Sequence, residues 1–182
     1  TRVVVVVNGL VGHRFVEELR ERDPEHKLAI TVIGEEPRFA YDRVHLSAYF
    51  DGTPAAELSV ASRERYDELG IETRLGDRAE RIDRDQRIVY TGAGFRIHYD
   101  VLVLATGSRA FVPPIANHDA RGCCVYRTLD DVFAIEAYAK RSKTGIVIGG
   151  GLLGLEAARA LKELGLKTTV VEFAPRLMPM QI

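Results

Sequence analysis

An α/β fold built from two parallel-sheet units, the first carrying a small antiparallel β insertion, is predicted by three features of the 182-residue chain. A glycine-bearing opening occurs twice: Val6-Val7-Asn8-Gly9-Leu10-Val11-Gly12 matches Ile148-Gly149-Gly150-Gly151-Leu152-Leu153-Gly154 at a constant offset of 142 residues. Each copy follows a short β-branched run and precedes a helical pattern, the order of a βαβ unit. Between the copies the texture changes to short alternating runs broken by glycines.

Taken in order, the run Val3 to Val7 reads as a strand buried on both faces, and Val11, Phe15 and Leu19 then recur at helical spacing. Leu28 to Ile33 follows as a second strand that ends at Glu35. Ser62 to Leu69 reads as a helix. The runs around Ile71 to Arg74, Ala79 to Asp83, Arg87 to Tyr90 and Phe95 to His98 read as the antiparallel insertion, punctuated by Gly76 and Thr91-Gly92-Ala93-Gly94. The apolar strand Val101 to Ala105 ends in Thr106-Gly107-Ser108. Pro113-Pro114 and the polar stretch to Gly122 look like a linker. Asp130 to Arg141 reads as a helix with aspartate in its first turn and Lys140 and Arg141 in its last. The second copy holds a strand at Ile146 to Ile148, read like the first as buried on both faces, and a stripe of Leu153, Ala157, Leu161 and Leu164. Gly165 then fills a left-handed position, and a strand from Thr168 to Val171 ends at Glu172. The expected organisation is a first domain over residues 1–112, a linker and connecting helix over 113–142, and the opening of a second domain over 143–182. The chain starts at a threonine and Met178-Pro179-Met180-Gln181-Ile182 closes no recognisable element, so it reads as a piece of a longer protein.

Composition narrows the function. Lys plus Arg number 25 against 26 Asp plus Glu, a net charge of -1, so no summed field recruits nucleic acid or an anionic membrane. With 46% hydrophobic and 28% charged residues the chain is an ordinary globular one. The opening apolar run is too short for a membrane span or a signal-peptide core. His13, His26, His45, His98 and His118 are scattered, which predicts no metal site. Cys123 and Cys124 form no CxxC pattern, fit a reducing, cytoplasmic setting, and read as small buried apolar residues near a strand.

The second glycine motif has the context that gives such a motif meaning: a strand before it, a helix after it, and an acid 18 residues past its last glycine. On this reading Gly149 permits the turn, Gly151 lets a pyrophosphate approach the backbone, and Gly154 lets helix and strand pack closely. Gly150, Leu152 and Leu153 complete the loop and the helix start that supplies N–H groups. Glu172 accepts from a ribose 2'-hydroxyl, favouring NADH over NADPH, with Arg176 keeping the dual option open; its other reading is an exposed strand-end acid. The first copy, with Asn8, Gly9, Leu10, Val11 and Gly12, has Val7 where the second has Gly149. If the turn needs a positive φ there, a β-branched residue costs on the order of 1 to 2 kcal/mol. Either the loop shifts and nucleotide affinity falls, which is the expectation adopted, or Val7 keeps φ below zero while the turn moves onto Asn8. Gly9, Gly12 and Glu35, 23 residues past Gly12, keep this copy a nucleotide site; a βαβ unit that has lost its ligand is the other reading.

Three stretches carry a family resemblance: Asn8 to Phe15, Glu35-Glu36-Pro37-Arg38-Phe39-Ala40-Tyr41-Asp42-Arg43-Val44-His45-Leu46-Ser47, and Gly149 to Glu156 leading to Val170 through Met178. They resemble the FAD- and NAD(P)H-binding N-terminal part of the large subunit of assimilatory NAD(P)H nitrite reductases. That family lies in the two-dinucleotide flavoprotein class with rubredoxin and ferredoxin reductases, which share the Ala105-Thr106-Gly107 strand end and the Tyr126-Arg127-Thr128-Leu129-Asp130 segment. The resemblance implies two Rossmann-like domains, with Gly9 and Gly12 at the FAD pyrophosphate, Glu35 at the adenosine ribose and Ala79 at the adenine. It further implies Arg43, Thr106, Gly107 and Arg127 at the remaining cofactor edge, and Glu156 near the nicotinamide carboxamide. Without it, Arg43 and Arg127 read as surface arginines and Thr106-Gly107 as a turn. Ala48 stands where many ferredoxin-reductase relatives have a lysine. No cysteine pair sits where glutathione or thioredoxin reductases carry theirs, which excludes a dithiol mechanism.

The implied chemistry is hydride transfer from NAD(P)H to FAD, then single-electron passage to iron-sulfur and sirohaem centres that reduce nitrite to ammonia. Those centres, and a Gly-Asp flavin contact, belong to parts of such an enzyme outside this sequence. No catalytic residue is assigned, because hydride transfer needs no protein acid or base. The expected partner is the electron-accepting domain or subunit of a nitrite reductase, or a small iron-sulfur protein, and a homodimer is left open. The alternatives are a stand-alone NADH:rubredoxin or ferredoxin reductase, against which Val44-His45 counts, and a nucleotide-binding module without flavin.

Overall fold

The computed structural model describes residues 1–179; Met180, Gln181 and Ile182 of the C-terminal stretch named above lie outside the described residues. The chain forms two compact units, one of Thr1–Asp42 with Ser59–Ser108, the other of Arg43–Leu58 with the chain from Arg109 onward.

The first unit holds strands β1 (Arg2–Val6), β2 (Ala29–Gly34), β3 (Ile71–Leu75) and β7 (Val101–Leu104), in a parallel sheet of order β3-β2-β1-β7. β1 is central because its valines serve both faces, as the period of two requires. Val3 and Val5 face a core with Val16, Ile30, Val32, Tyr66 and Ile71. Val4 and Val6 face another with Ile33, Val89 and Tyr99. Helix α1 (Leu10–Glu21) follows β1, and helix α2 (Arg63–Glu68), capped by the Ser62 side chain, precedes β3. The insertion is the antiparallel sheet β4 (Ala79–Asp83), β5 (Ile88–Thr91) and β6 (Arg96–His98), whose Val89 meets the parallel sheet in the second core.

Two expectations need correction here. The run at Ile71 joins the parallel sheet, not the insertion, because α2 returns the chain so that β3 pairs parallel with β2. The buried stripe of α1 is Gly12, His13, Val16 and Arg20, whereas Val11 is 73% exposed. Arg20 tolerates burial because its guanidinium donates to Asp23 Oδ2 at 2.7 Å and to the carbonyls of Leu69, Leu28 and Gly70. Counting apolar residues alone hides that face.

The second unit contains single-turn 3₁₀ helices at Leu46–Tyr49 and Ala55–Leu58, and helix α3 (Leu129–Ala139). It continues through β8 (Thr144–Ile148), helix α4 (Leu152–Glu163) and β9 (Lys167–Val171). Thr128 and Asp131 form a capping box at the start of α3, and Lys140 caps its end instead of lying in its last turn. β8 and β9 pair parallel, and Gly165 takes φ +82° after α4 as expected. β8 is not buried on both faces: Ile146 and Ile148 are largely exposed, since α4 covers one side of a two-stranded sheet. Leu153 is exposed too, and Ala160 is the buried residue of α4. The cysteines are likewise not core residues. Both are exposed, in a stretch before α3 that is neither strand nor helix.

Candidate dinucleotide sites

Each glycine motif forms the turn between a strand and a helix. Gly9 is the N-cap of α1 and Gly151 the N-cap of α4; both are extended, and neither helix receives a side-chain cap. The first-turn N–H groups, contributed by Leu10 and Val11 in one copy and Leu152 and Leu153 in the other, therefore face an anion-binding end with a positive dipole. A Cβ built on Gly9 or Gly151 meets nothing within 4 Å, so both turns keep open space where a side chain would stand. The third glycine does the opposite. A Cβ on Gly12 would lie 2.3 Å from the Val7 carbonyl oxygen and one on Gly154 would meet the Gly149 carbonyl oxygen at 1.9 Å, so helix and strand end touch through bare backbone in both copies.

The first position separates the copies. Gly149 has φ +114°, a conformation that favours glycine. Neither Val7 nor Asn8 is among the positive-φ residues, so Val7 keeps φ out of the left-handed region, as the second arrangement expects, but Asn8 does not take a left-handed turn in its place. Val7 packs against the core cluster of Val4, Val6, Ile33 and Val89. Asn8 is buried, and its Oδ1 accepts from the Tyr66 hydroxyl at 2.9 Å, while His13 Nδ1 lies 3.2 Å from that Tyr66 hydroxyl oxygen. Burial lowers the His13 pKa, opposed by the nearby Glu17 carboxylate. The Asn8 Nδ2 atom is buried with no hydrogen-bond partner. Tyr66 stands 58 residues from Asn8, beyond the reach of any local sequence signal.

In the second copy Glu172 closes the turn. Its Oε2 accepts from the Gly150 N–H at 2.5 Å and its Oε1 from the Ala174 N–H at 2.8 Å. These bonds, that from Ala174 first, hold its carboxyl below the usual range, so it is charged at neutral pH. The strand register matches Ile33 to Val6 and Val171 to Ile148, which makes Gly34 the counterpart of Glu172. Glu35 therefore sits one residue farther out, exposed and 3.8 Å from Arg78. Counting from the strand instead of from the glycines reveals that offset.

The remaining residues divide between the units. Thr106 and Gly107 follow β7 at the same sheet edge as the first turn, and the Ala105 Cβ is 3.7 Å from the Cβ position of Gly12. Ala79 opens β4, next to Arg78. In the second unit Arg43 precedes the first 3₁₀ turn, and Arg127 donates its backbone N–H to Asp131 at 3.1 Å. Glu156 on α4 acts on Tyr126, whose hydroxyl is pushed up to about 12 by burial and by that carboxylate. No group of three or more His, Cys, Asp or Glu side chains able to hold a metal occurs among the described residues, and no helix there is long and apolar enough to cross a membrane.

A family model described as pyridine nucleotide-disulphide oxidoreductase matches residues 1–182. The chain is 50% identical over 181 residues to the nitrite reductase (NADH) large subunit of Escherichia coli K12, covering 100% of this chain and 21% of that protein. It is 52% identical over 180 residues to the NAD(P)H nitrite reductase large subunit of Klebsiella oxytoca, covering 99% and 19%. Among solved structures, an NAD-dependent persulfide reductase from A. fulgidus matches with a TM-score of 0.89 at 29% identity, over 98% of this chain and 35% of that one. The chain thus spans about a fifth of the length of these two curated relatives. Two strand–turn–helix units, with this match across the whole chain, identify it as a member of the pyridine nucleotide-disulphide oxidoreductase family.

Proposed function

We propose that the chain is the FAD- and NAD(P)H-binding module of a reductase that passes electrons to a partner redox centre, in the manner of a nitrite reductase large subunit. One observation carries this reading: both turns combine an uncapped helix start with open space at the second glycine, the shape a pyrophosphate needs. When bound, FAD supplies the ring that accepts hydride from NAD(P)H. The residues here bind and orient. Gly9, Leu10, Val11 and Gly12 hold the FAD pyrophosphate through backbone N–H groups, with Glu35 toward the ribose, Ala79 at the adenine, and Thr106 and Gly107 along the cofactor edge. The buried Asn8 amide, a donor without a protein acceptor, fits beside that turn. Gly149 to Gly154 hold the second pyrophosphate. Arg43 and Arg127 are assigned to the flavin edge and Glu156 to the carboxamide.

Glu172 selects NADH. Its carboxylate stays ionised at neutral pH, accepts from a ribose diol and repels a 2'-phosphate. The terminal acceptor is proposed to be iron-sulfur and sirohaem centres that reduce nitrite to ammonia, a reading supported by the identity to the two large subunits. The test is a pair of variants in the protein that carries this chain. Gly151→Val should abolish NADH binding and leave bound flavin intact, and Gly9→Val should do the reverse. Flavin absorbance reports the first site and calorimetric titration with NADH the second, and loss of flavin from Gly151→Val would reverse the assignment.

A further inference from the structure

The chain's two cysteines are adjacent, free and exposed. The backbone leading to them is held by local turns: Ala120 N–H donates to the Asn117 carbonyl at 3.0 Å and Cys123 N–H to the Ala120 carbonyl at 2.9 Å. Asn117 and Gly122 take left-handed φ values of 62° and 95°. Cys123 Sγ lies 3.7 Å from the Asn117 carbonyl oxygen and Cys124 Sγ 3.9 Å from that of Gly122. Two neighbouring thiols are therefore presented to solvent on a backbone fixed by its own hydrogen bonds.

We propose that Cys123 and Cys124 form a two-sulfur chelating site for a soft, thiophilic centre with two exchangeable ligands, of which a trivalent arsenical is the simplest. The surroundings select that class. A closed zinc site needs four protein ligands, and no third His, Cys, Asp or Glu joins the pair among the described residues. Direct disulfide closure is strained, because consecutive Cα atoms stand about 3.8 Å apart whereas disulfides span about 4.4 to 6.8 Å. A bridging atom between the sulfurs lengthens the ring and relieves that strain. Partial burial, with Asp131 and Cys123, pushes the Cys124 thiol up, which makes it a weak nucleophile at neutral pH. Condensation with an arsenoxide needs no standing thiolate: two S–H bonds break, two As–S bonds form, and the arsenoxide oxygen leaves as water with both protons. No oxidation state changes. The site rests on the thiol pair alone and is independent of the flavin reading.

Phenylarsine oxide added to the reduced protein, freed of reductant and read by intact mass, tests this. The expected product carries one arsenical per chain with loss of one water, survives a large excess of glutathione, and is stripped by 2,3-dimercaptopropanol. Cys123→Ser and Cys124→Ser each lose the intramolecular second bond, so half-saturation should rise by ~10²-fold or more. An absent adduct, stripping by glutathione, or a serine variant that binds as tightly as the parent overturns the proposal. The competition between monothiol and dithiol on the unsubstituted protein decides the matter even if a variant fails to fold.

Discussion

The two glycine turns reach the same end by different supports. Each presses its third glycine onto the carbonyl of the residue that opens the turn. The second does so with a left-handed Gly149 and a carboxylate from the following strand, which holds the Gly150 N–H. The first has no such glycine and no carboxylate at that register; Asn8 is tied to Tyr66 inside the core and Val7 lends its side chain to the sheet. A valine in a glycine position does not prevent the turn when its φ stays negative and its methyls have a core to enter.

The largest test of that equivalence is at the third glycines. Gly12→Ala and Gly154→Ala each drive a Cβ into a backbone oxygen, and each should destabilise its own unit by about 3 kcal/mol in urea unfolding. A large loss in one and none in the other would break the comparison. Next comes Asn8→Ala, which leaves the buried Tyr66 hydroxyl without its acceptor and should cost about 1–3 kcal/mol. The same change at Gly150, which has no side-chain tie, instead crowds Glu172 and Leu177. Chemical denaturation and near-ultraviolet circular dichroism at Tyr66 would separate the two.

At the first position the copies should respond in opposite ways. Gly149→Ala forces a side chain to φ +114° and should cost about 1–2 kcal/mol. Val7→Gly gives up half-buried methyls and should destabilise by about 1 kcal/mol, with FAD affinity changed less than about threefold. A gain in flavin affinity of about tenfold would instead bear out the expectation that Val7 weakens flavin binding.

The smallest effect is on pH. The folded pKa of His13 is lowered from the ordinary 6.5, so its support of the first turn is complete above that value and declines as pH falls below it. The Glu172 carboxyl is lowered from 4.5, so the second turn keeps its support until pH falls below that range. Amide exchange measured across this interval should loosen Asn8 and Gly9 before Gly150 and Gly151.

Much of this was legible in the chain. The repeat predicted both turns, the β-branched run Val3 to Val7 predicted the central strand, which ends at Val6, and Gly165 predicted the end of α4. What escaped the sequence depended on distant partners. Arg20 is a core residue only because Asp23 and three carbonyls surround it. Asn8 is held by Tyr66, whose position follows from α2, and Ile71 belongs to the parallel sheet only once α2 reverses the chain. Glu35, which the resemblance places at the ribose, lies one residue past the register position of Glu172, and the longer loop from α1 to β2 hides this in a count from the glycines. The exposure of Cys123 and Cys124 reflects a stretch without strand or helix, which free cysteines do not announce.

The most direct test of the account is an amide-resolved NMR titration of the chain with FAD and, separately, with NADH. FAD should move the resonances of Gly9 to Gly12 and leave Gly151 to Gly154 in place, and NADH should do the reverse. Both ligands perturbing one turn, or FAD leaving the Val7 turn untouched while NADH binds, would contradict it.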